Sequence, residues 1–123
     1  MRIVTWNCNG ALRRKLSEVD QLQSDIVVVQ ECENPAEFGG EYGNWADQYA
    51  WAGSNKNKGI GVFVKGDLSI TPLDWPDYGL AQFLPVRINN ELDILAVWTK
   101  QTTPAHFAMS DSSGNILICT GQS

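Results

Sequence analysis

Apolar residues recur along this chain in two rhythms, and the changes between them mark out its elements. Ile3, Val4, Thr5 and Trp6, β-branched or aromatic, run through Arg2–Trp6 and stop short of the turn-forming pair Asn9-Gly10, which predicts a strand. Between Ala11 and Gln23 the rhythm lengthens. Leu12, Leu16, Val19 and Leu22 fall at steps of four, three and three, one stripe of a helix whose polar face holds Arg13, Arg14, Glu18 and Gln21. Ser24-Asp25 breaks that pattern, and Ile26–Gln30 follows as a short continuous run of the kind expected of a strand covered on both faces. Two parallel strands joined by a helix take a right-handed crossover, so their carboxyl ends share one edge of the sheet. Asn7-Cys8-Asn9-Gly10 follows the first strand and Glu31 follows the second, and in open α/β sheets that edge is where ligands bind.

Asn34–Trp45 is rich in Gly, Asn and Pro and has no period, so it reads as a loop with one helical turn at Pro35–Phe38. Gln48–Ala52 and Ile60–Lys65, joined through Gly53–Gly59, predict a hairpin, and Leu68–Thr71 a short edge strand. Leu73–Gly79 is irregular. Gln82–Ile88 and Glu91–Thr99 flank Asn89-Asn90, two residues that tolerate the positive φ of a tight hairpin turn. Lys100–Ser123 is polar and without clear period, apart from a candidate strand at Asn115–Cys119.

A length of 123 residues accommodates one domain with a core of its own. Nine Lys and Arg against 14 Asp and Glu leave a charge of −5, which counts against gripping nucleic acid through bulk positive charge and leaves the task to local groups. The basic groups at hand are Arg13-Arg14-Lys15 at the start of the helix and Lys56 and Lys58 in the glycine-rich loop. No apolar run reaches the length of a membrane span, and Asn7, Cys8 and Asn9 stand where a signal peptide needs its apolar stretch. Three cysteines, Cys8, Cys32 and Cys119, with no C-x-x-C spacing, fit neither a disulfide framework nor a zinc site, so a reducing cytoplasm is the expected location. The sole histidine, His106, reads as surface or structural, and Trp45, Trp51 and Trp75 as packing residues.

Glu31 is the residue that asks for chemistry. It ends an apolar run, and a buried carboxylate is unfavourable unless it is paired or binds a cation. With the amide oxygen of Asn7 alongside it makes a partial seat for a hard divalent cation; a structural salt bridge and a solvated strand end are the other readings of the same residue.

The string TWNCNG at Thr5–Gly10, followed by DIVVVQE at Asp25–Glu31, resembles the opening of the endonuclease/exonuclease/phosphatase superfamily, the exonuclease III-like and deoxyribonuclease I-like phosphodiesterases. The likeness extends more loosely through Lys58–Lys65 and the strand pair ending at Trp98. It implies an α/β fold, half of a four-layer α/β sandwich: one mixed β-sheet covered by a helical layer. It implies a metal-dependent phosphodiesterase that hydrolyses a phosphoester in Mg²⁺ or Mn²⁺, with Glu31 and Asn7 as catalytic and metal-binding residues. Asn9, Arg13 and Trp98 are the candidate substrate-binding residues, Trp98 standing near a position where relatives carry Tyr. The expected partners are a phosphoester substrate, nucleic acid among them, and a second copy through the exposed sheet face. The family's second-half motifs, G-D-x-N and S-D-H, do not occur: Gly66-Asp67-Leu68 is not followed by Asn, and Ser112 follows Ser110-Asp111. Residues 1–99 therefore read as the amino-terminal half of such a domain and 100–123 as a divergent or truncated tail. The alternative is an inactive half-domain that binds phosphate or a partner.

Overall fold

The computed structural model describes residues 1–75, 82–99, 107–109 and 116–122, the last two stretches as strand backbone. His106, Ser110-Asp111 and residues 76–79 of the irregular segment lie outside the described residues.

Four strands form the first sheet: β1 (Ile3–Asn7), β2 (Ile26–Cys32), β3 (Gln48–Asn55) and β4 (Lys58–Val64), in the order β1-β2-β4-β3. The parallel pairing expected of the first two strands is present, with Ile3 opposite Ile26 and Asn7 opposite Gln30. The expected β3–β4 hairpin runs antiparallel, and β4 also pairs antiparallel with β2. β2 is central, and every one of its seven residues is buried, as its unbroken apolar run implies. Its alternation serves two cores. Val27 and Val29 face the helices, Ile26 and Val28 the opposite side, each burial contributing roughly 1.5–3 kcal/mol.

The single helix expected over Ala11–Gln23 is divided into a 3-10 turn at Leu12–Arg14 and α1 (Leu16–Asp20), with Lys15 at φ −125° between them. The chain entering this segment is tied down from outside. The Glu33 carboxylate accepts from the amides of Leu12 and Arg13, and the Lys15 ammonium donates to the carbonyls of Cys8 and Gly10. The apolar stripe holds for Leu12, Leu16 and Val19, which are buried, while Leu22 lies past the helix and is 37% exposed. The turn expected at Pro35–Phe38 forms as α2, with Asn34 Oδ1 accepting from the amide of Ala36 at 3.1 Å. One further turn, α3 (Gly40–Gly43), follows it. Tyr42 from α3 joins Leu12, Leu16, Val19, Cys8, Cys32 and Phe63 in the core beneath this helical layer.

The strands after this sheet do not extend it. β5 (Ile70–Pro72), β6 (Gln82–Ile88), β7 (Leu92–Thr99), β8 (Phe107–Met109) and β9 (Ile116–Gln122) make a second sheet in the order β5-β6-β7-β9-β8. The hairpin foreseen at Asn89-Asn90 joins β6 to β7, with φ of 53° and 59° at the two asparagines. The strand foreseen at Asn115–Cys119 is β9, parallel to β7. Leu84, Val86, Ile88, Ile94, Ala96 and Trp98 pack against Ile26, Val28, Ile60, Val62 and Val64 of the first sheet. The result is the expected α/β architecture, a mixed sheet under a helical layer, with a second, largely antiparallel sheet on its other face.

Candidate active site

Parallel pairing of β1 and β2 brings their carboxyl ends together, and the backbone there departs from regular strand. The amide of Cys8 donates to the Gln30 carbonyl at 3.1 Å, which carries the pairing one residue past β1. Beyond it, Asn9, Gly10 and Ala11 all have positive φ, at 58°, 88° and 53°. Single left-handed residues are common in turns, whereas three in succession need outside support. Asn7 Oδ1 gives part of it by accepting from the Asn9 amide at 3.0 Å; Lys15 gives the rest, with its ammonium 2.6 Å from the Cys8 carbonyl and 2.9 Å from that of Gly10.

On β2 the register slips between Gln30 and Cys32: Gln30 pairs with Ile60, Cys32 with Gly59, and Glu31 sits in the bulge at φ +64°. A left-handed glutamate within a strand costs about 1–3 kcal/mol, and bulges of this kind re-aim a side chain next to a functional site. Gly59 makes room for the bulge's support. The indole of Trp51 lies over Gly59 and donates to the Cys32 carbonyl at 3.1 Å. A Cβ at Gly59 would run into that indole and into the Ala52 carbonyl.

Glu31 is 3% exposed, and its charge is met by Lys58, whose ammonium lies 3.5 Å from Oε1. A second acid stands two residues on. Glu33, 1% exposed, accepts from the Leu12 amide at 2.8 Å and the Arg13 amide at 3.4 Å, and pairs with Arg13 Nη1 at 2.6 Å. The Tyr42 hydroxyl donates to the Glu33 carbonyl at 2.6 Å. Burial raises the pKa of Tyr42 and of the neighbouring thiols of Cys8 and Cys32, so all three keep their protons at neutral pH.

The sequence-predicted residues separate on this geometry. Asn7, Asn9 and Glu31 converge on the strand-end edge as the topology required. Arg13 comes to the same region, but its guanidinium is engaged: it pairs with Glu33 and lies 5.0 Å from the centre of the Phe38 ring. Trp98, expected to touch substrate, is instead 2% exposed within the core between the two sheets, because its position in β7 faces the first sheet. Sequence reasoning passed over Glu33 altogether and weighed Lys58 as a phosphate contact or a plain hairpin lysine, not as a partner of Glu31. A detectable signal was present in the i, i+2 spacing of Glu31 and Glu33, which marks two acids at one strand end.

The donor set suits a hard cation of the Mg²⁺ type. Glu31 offers a buried carboxylate and Asn7 an amide oxygen with a second lone pair, and Mg²⁺ completes its shell with water and substrate phosphate rather than with a protein cage. Among the described residues no group of three or more His, Cys, Asp or Glu that could hold a metal ion converges.

A helical layer on a mixed sheet backed by a second sheet is a fold this chain shares with exonuclease- and phosphatase-fold proteins. The chain is similar to a 3′-5′ exonuclease (NExo) from Neisseria meningitidis, with a TM-score of 0.53 and 22% identity over 79% of this chain and 41% of that one. It is equally similar to a 3′ phosphatase NExo from Neisseria bound to product DNA hairpin, at a TM-score of 0.53 and 21% identity over 79% of this chain and 40% of that one. The likeness is one of fold, and the chain spans about two fifths of the length of these neighbours. No protein-family profile and no curated protein matches the sequence.

Proposed function

We propose that this chain carries the Glu31 portion of a phosphoester-hydrolase site, one that acts with Mg²⁺ or Mn²⁺ on a phosphodiester or phosphomonoester. The observation that carries the reading is the bulge at Glu31. A left-handed φ at a buried glutamate is unfavourable for folding, and it turns a carboxylate toward the loop that ends β1, at the edge where α/β sheets hold their ligands. Glu31 and the Asn7 amide oxygen are the residues that would hold the cation. A divalent ion at that point would neutralise charge on phosphoryl oxygens. Asn7 fixes the loop through the Asn9 amide, and Asn9, exposed at φ 58°, presents its side chain to a substrate approaching the strand ends. Arg13 is held by Glu33 through Nη1, and its remaining N–H donors are available to a phosphate oxygen.

The DNA hairpin named for one structural neighbour supports nucleic acid as the first substrate to try. The test is hydrolysis of a DNA hairpin bearing a 3′ phosphate, and of a generic phosphodiester, by the full chain in Mg²⁺ or Mn²⁺. Turnover that Glu31→Gln lowers by roughly 100-fold or more supports the reading, since a metal ligand acts on the transition state directly. Turnover that survives Glu31→Gln overturns it. A second reading is a half-domain that binds phosphate or a partner without turnover. It predicts phosphate binding with no hydrolysis in either metal.

A further inference from the structure

Lys58 opens β4 at the foot of the hairpin turn, where its amide and that of Asn57 donate to Asn55 Oδ1 at 3.2 and 2.8 Å. From there its side chain crosses the loop that follows β1. Its Cε lies 3.8 Å from the point that a Cβ on Gly10 would occupy, and Gly10, at φ +88°, carries none. The ammonium then ends 3.5 Å from Glu31 Oε1, the lysine side chain 51% exposed and the glutamate side chain 4%. A contact at 3.5 Å is at the outer limit of a hydrogen bond, and a half-hydrated ammonium gives up such a contact easily.

Lys15 shows what a structural lysine looks like in the same place. Its ammonium is within 2.6 and 2.9 Å of two backbone carbonyls and closes the loop from inside. Among the described residues Lys58 meets no such pair of carbonyls; it supplies charge to a buried carboxylate, and its half-exposed side chain keeps its other donors toward water.

We infer that Lys58 is a displaceable counter-ion for Glu31. Its ammonium holds the charge of the carboxylate until a divalent cation takes Glu31, and is then repelled from it and left above Gly10 to meet an anionic phosphoryl oxygen. The inference rests on Glu31 being the cation ligand proposed above. It makes one lysine act twice, first as competitor of the metal and then as its partner toward phosphate. The two effects have opposite signs, which a merely structural lysine would not produce.

The test is a titration of the full chain with Mn²⁺ alone, followed by electron paramagnetic resonance, for the wild type and for Lys58→Met, Lys58→Gln, Lys58→Arg and Glu31→Gln. Loss of the competing charge makes Lys58→Met and Lys58→Gln bind Mn²⁺ about fivefold more tightly, while Lys58→Arg stays near wild type. With Mn²⁺ saturating, inorganic phosphate binds Lys58→Met more weakly than wild type, by about fivefold. Melting supplies a second readout: metal-free Lys58→Met melts below wild type, and saturating Mn²⁺ closes the gap. Unchanged or weaker Mn²⁺ binding in both neutral variants, with wild type binding the ion, overturns the counter-ion role and leaves the cation seat standing. Absence of Mn²⁺ binding in wild type overturns the seat itself, and this inference with it.

Discussion

Glu31 and Glu33 are separated by one residue, and both are almost wholly buried, at 3% and 1% exposure. Their surroundings differ in kind. Glu33 is saturated: two backbone amides and a guanidinium reach its two oxygens, the closest at 2.6 and 2.8 Å. Glu31 sits at a strained φ of +64° and meets a single described cation, at 3.5 Å and half in water. A saturated buried acid is a fixed part of the fold, since each oxygen is already used. A strained and loosely paired one retains capacity to bind, at some loss of stability. Under the proposed function the two acids do different work: Glu33 anchors the segment Leu12–Arg14, and Glu31 is the acid left to meet a cation.

The largest effect that would break this contrast is on folding. Glu33→Ala removes the acceptor for the Leu12 and Arg13 amides and leaves the Arg13 guanidinium without its carboxylate, a loss of about 2–4 kcal/mol. Glu31→Gln, almost isosteric, stays within about 1 kcal/mol of wild type, because it removes a buried charge together with a weak pair. Urea denaturation of the two variants decides the matter. Equal losses, or the larger loss at Glu31, would mean that the two acids have been assigned the wrong way round.

The next effect sharpens the part of the contrast that depends on the bulge. Gly59 lies opposite Cys32, just past the slip in register, and carries the Trp51 indole against it. Gly59→Ala forces a methyl group into that indole and the Ala52 carbonyl, at about 1–3 kcal/mol. Trp51→Phe loses only the hydrogen bond to the Cys32 carbonyl and part of the packing, and costs about 1 kcal/mol. If the bulge aims Glu31, Gly59→Ala weakens Mn²⁺ binding beyond what Trp51→Phe does. Full-strength Mn²⁺ binding by a destabilised Gly59→Ala would separate the bulge from the site.

That Asn7 and Glu31 lie at one edge of the sheet was legible before any coordinates, because a strand, a helical stripe and a fully apolar strand leave one handedness of connection and one shared edge. The hairpin at Asn89-Asn90 was legible for an equally local reason, the positive φ both residues accept. Glu33 was not, since an acid entering an Asn-Pro loop reads as solvated, and its burial depends on Leu12–Arg14 folding back over it. The bulge at Glu31 has no propensity signal, as nothing in a glutamate's side chain favours a left-handed backbone. Strand pattern also does not say which sheet a strand joins, so β6 and β7 were found as strands while their stacking on the first sheet was not. Trp98 was placed by analogy of position, and the alternation of β7 turned it inward.

The smallest effect is one of pH, and it separates the two acids by their neighbours. Glu33 shares its layer with Tyr42, which donates to its carbonyl, and with Cys32 and Cys8. Burial raises the pKa of all three above the ordinary 9.0 of a thiol and 10.0 of a phenol. The native state therefore holds protons that the unfolded chain releases. Stability from this source is complete below about pH 8 and is lost as the pH rises through about 9 and beyond, with a limiting slope of about 1.4 kcal/mol per pH unit for each group. Between pH 8 and 9.5 the loss amounts to about 1–2 kcal/mol, read as a falling urea midpoint. Tyr42→Phe removes the contribution of the phenol and flattens the upper part of the curve, whereas Glu31→Gln, which removes only the weakest of the influences on Cys8, changes it least. A midpoint that stays level from pH 7 to 10 in the wild type would mean that the layer around Glu33 opens to water, and that its saturation is not what distinguishes it from Glu31.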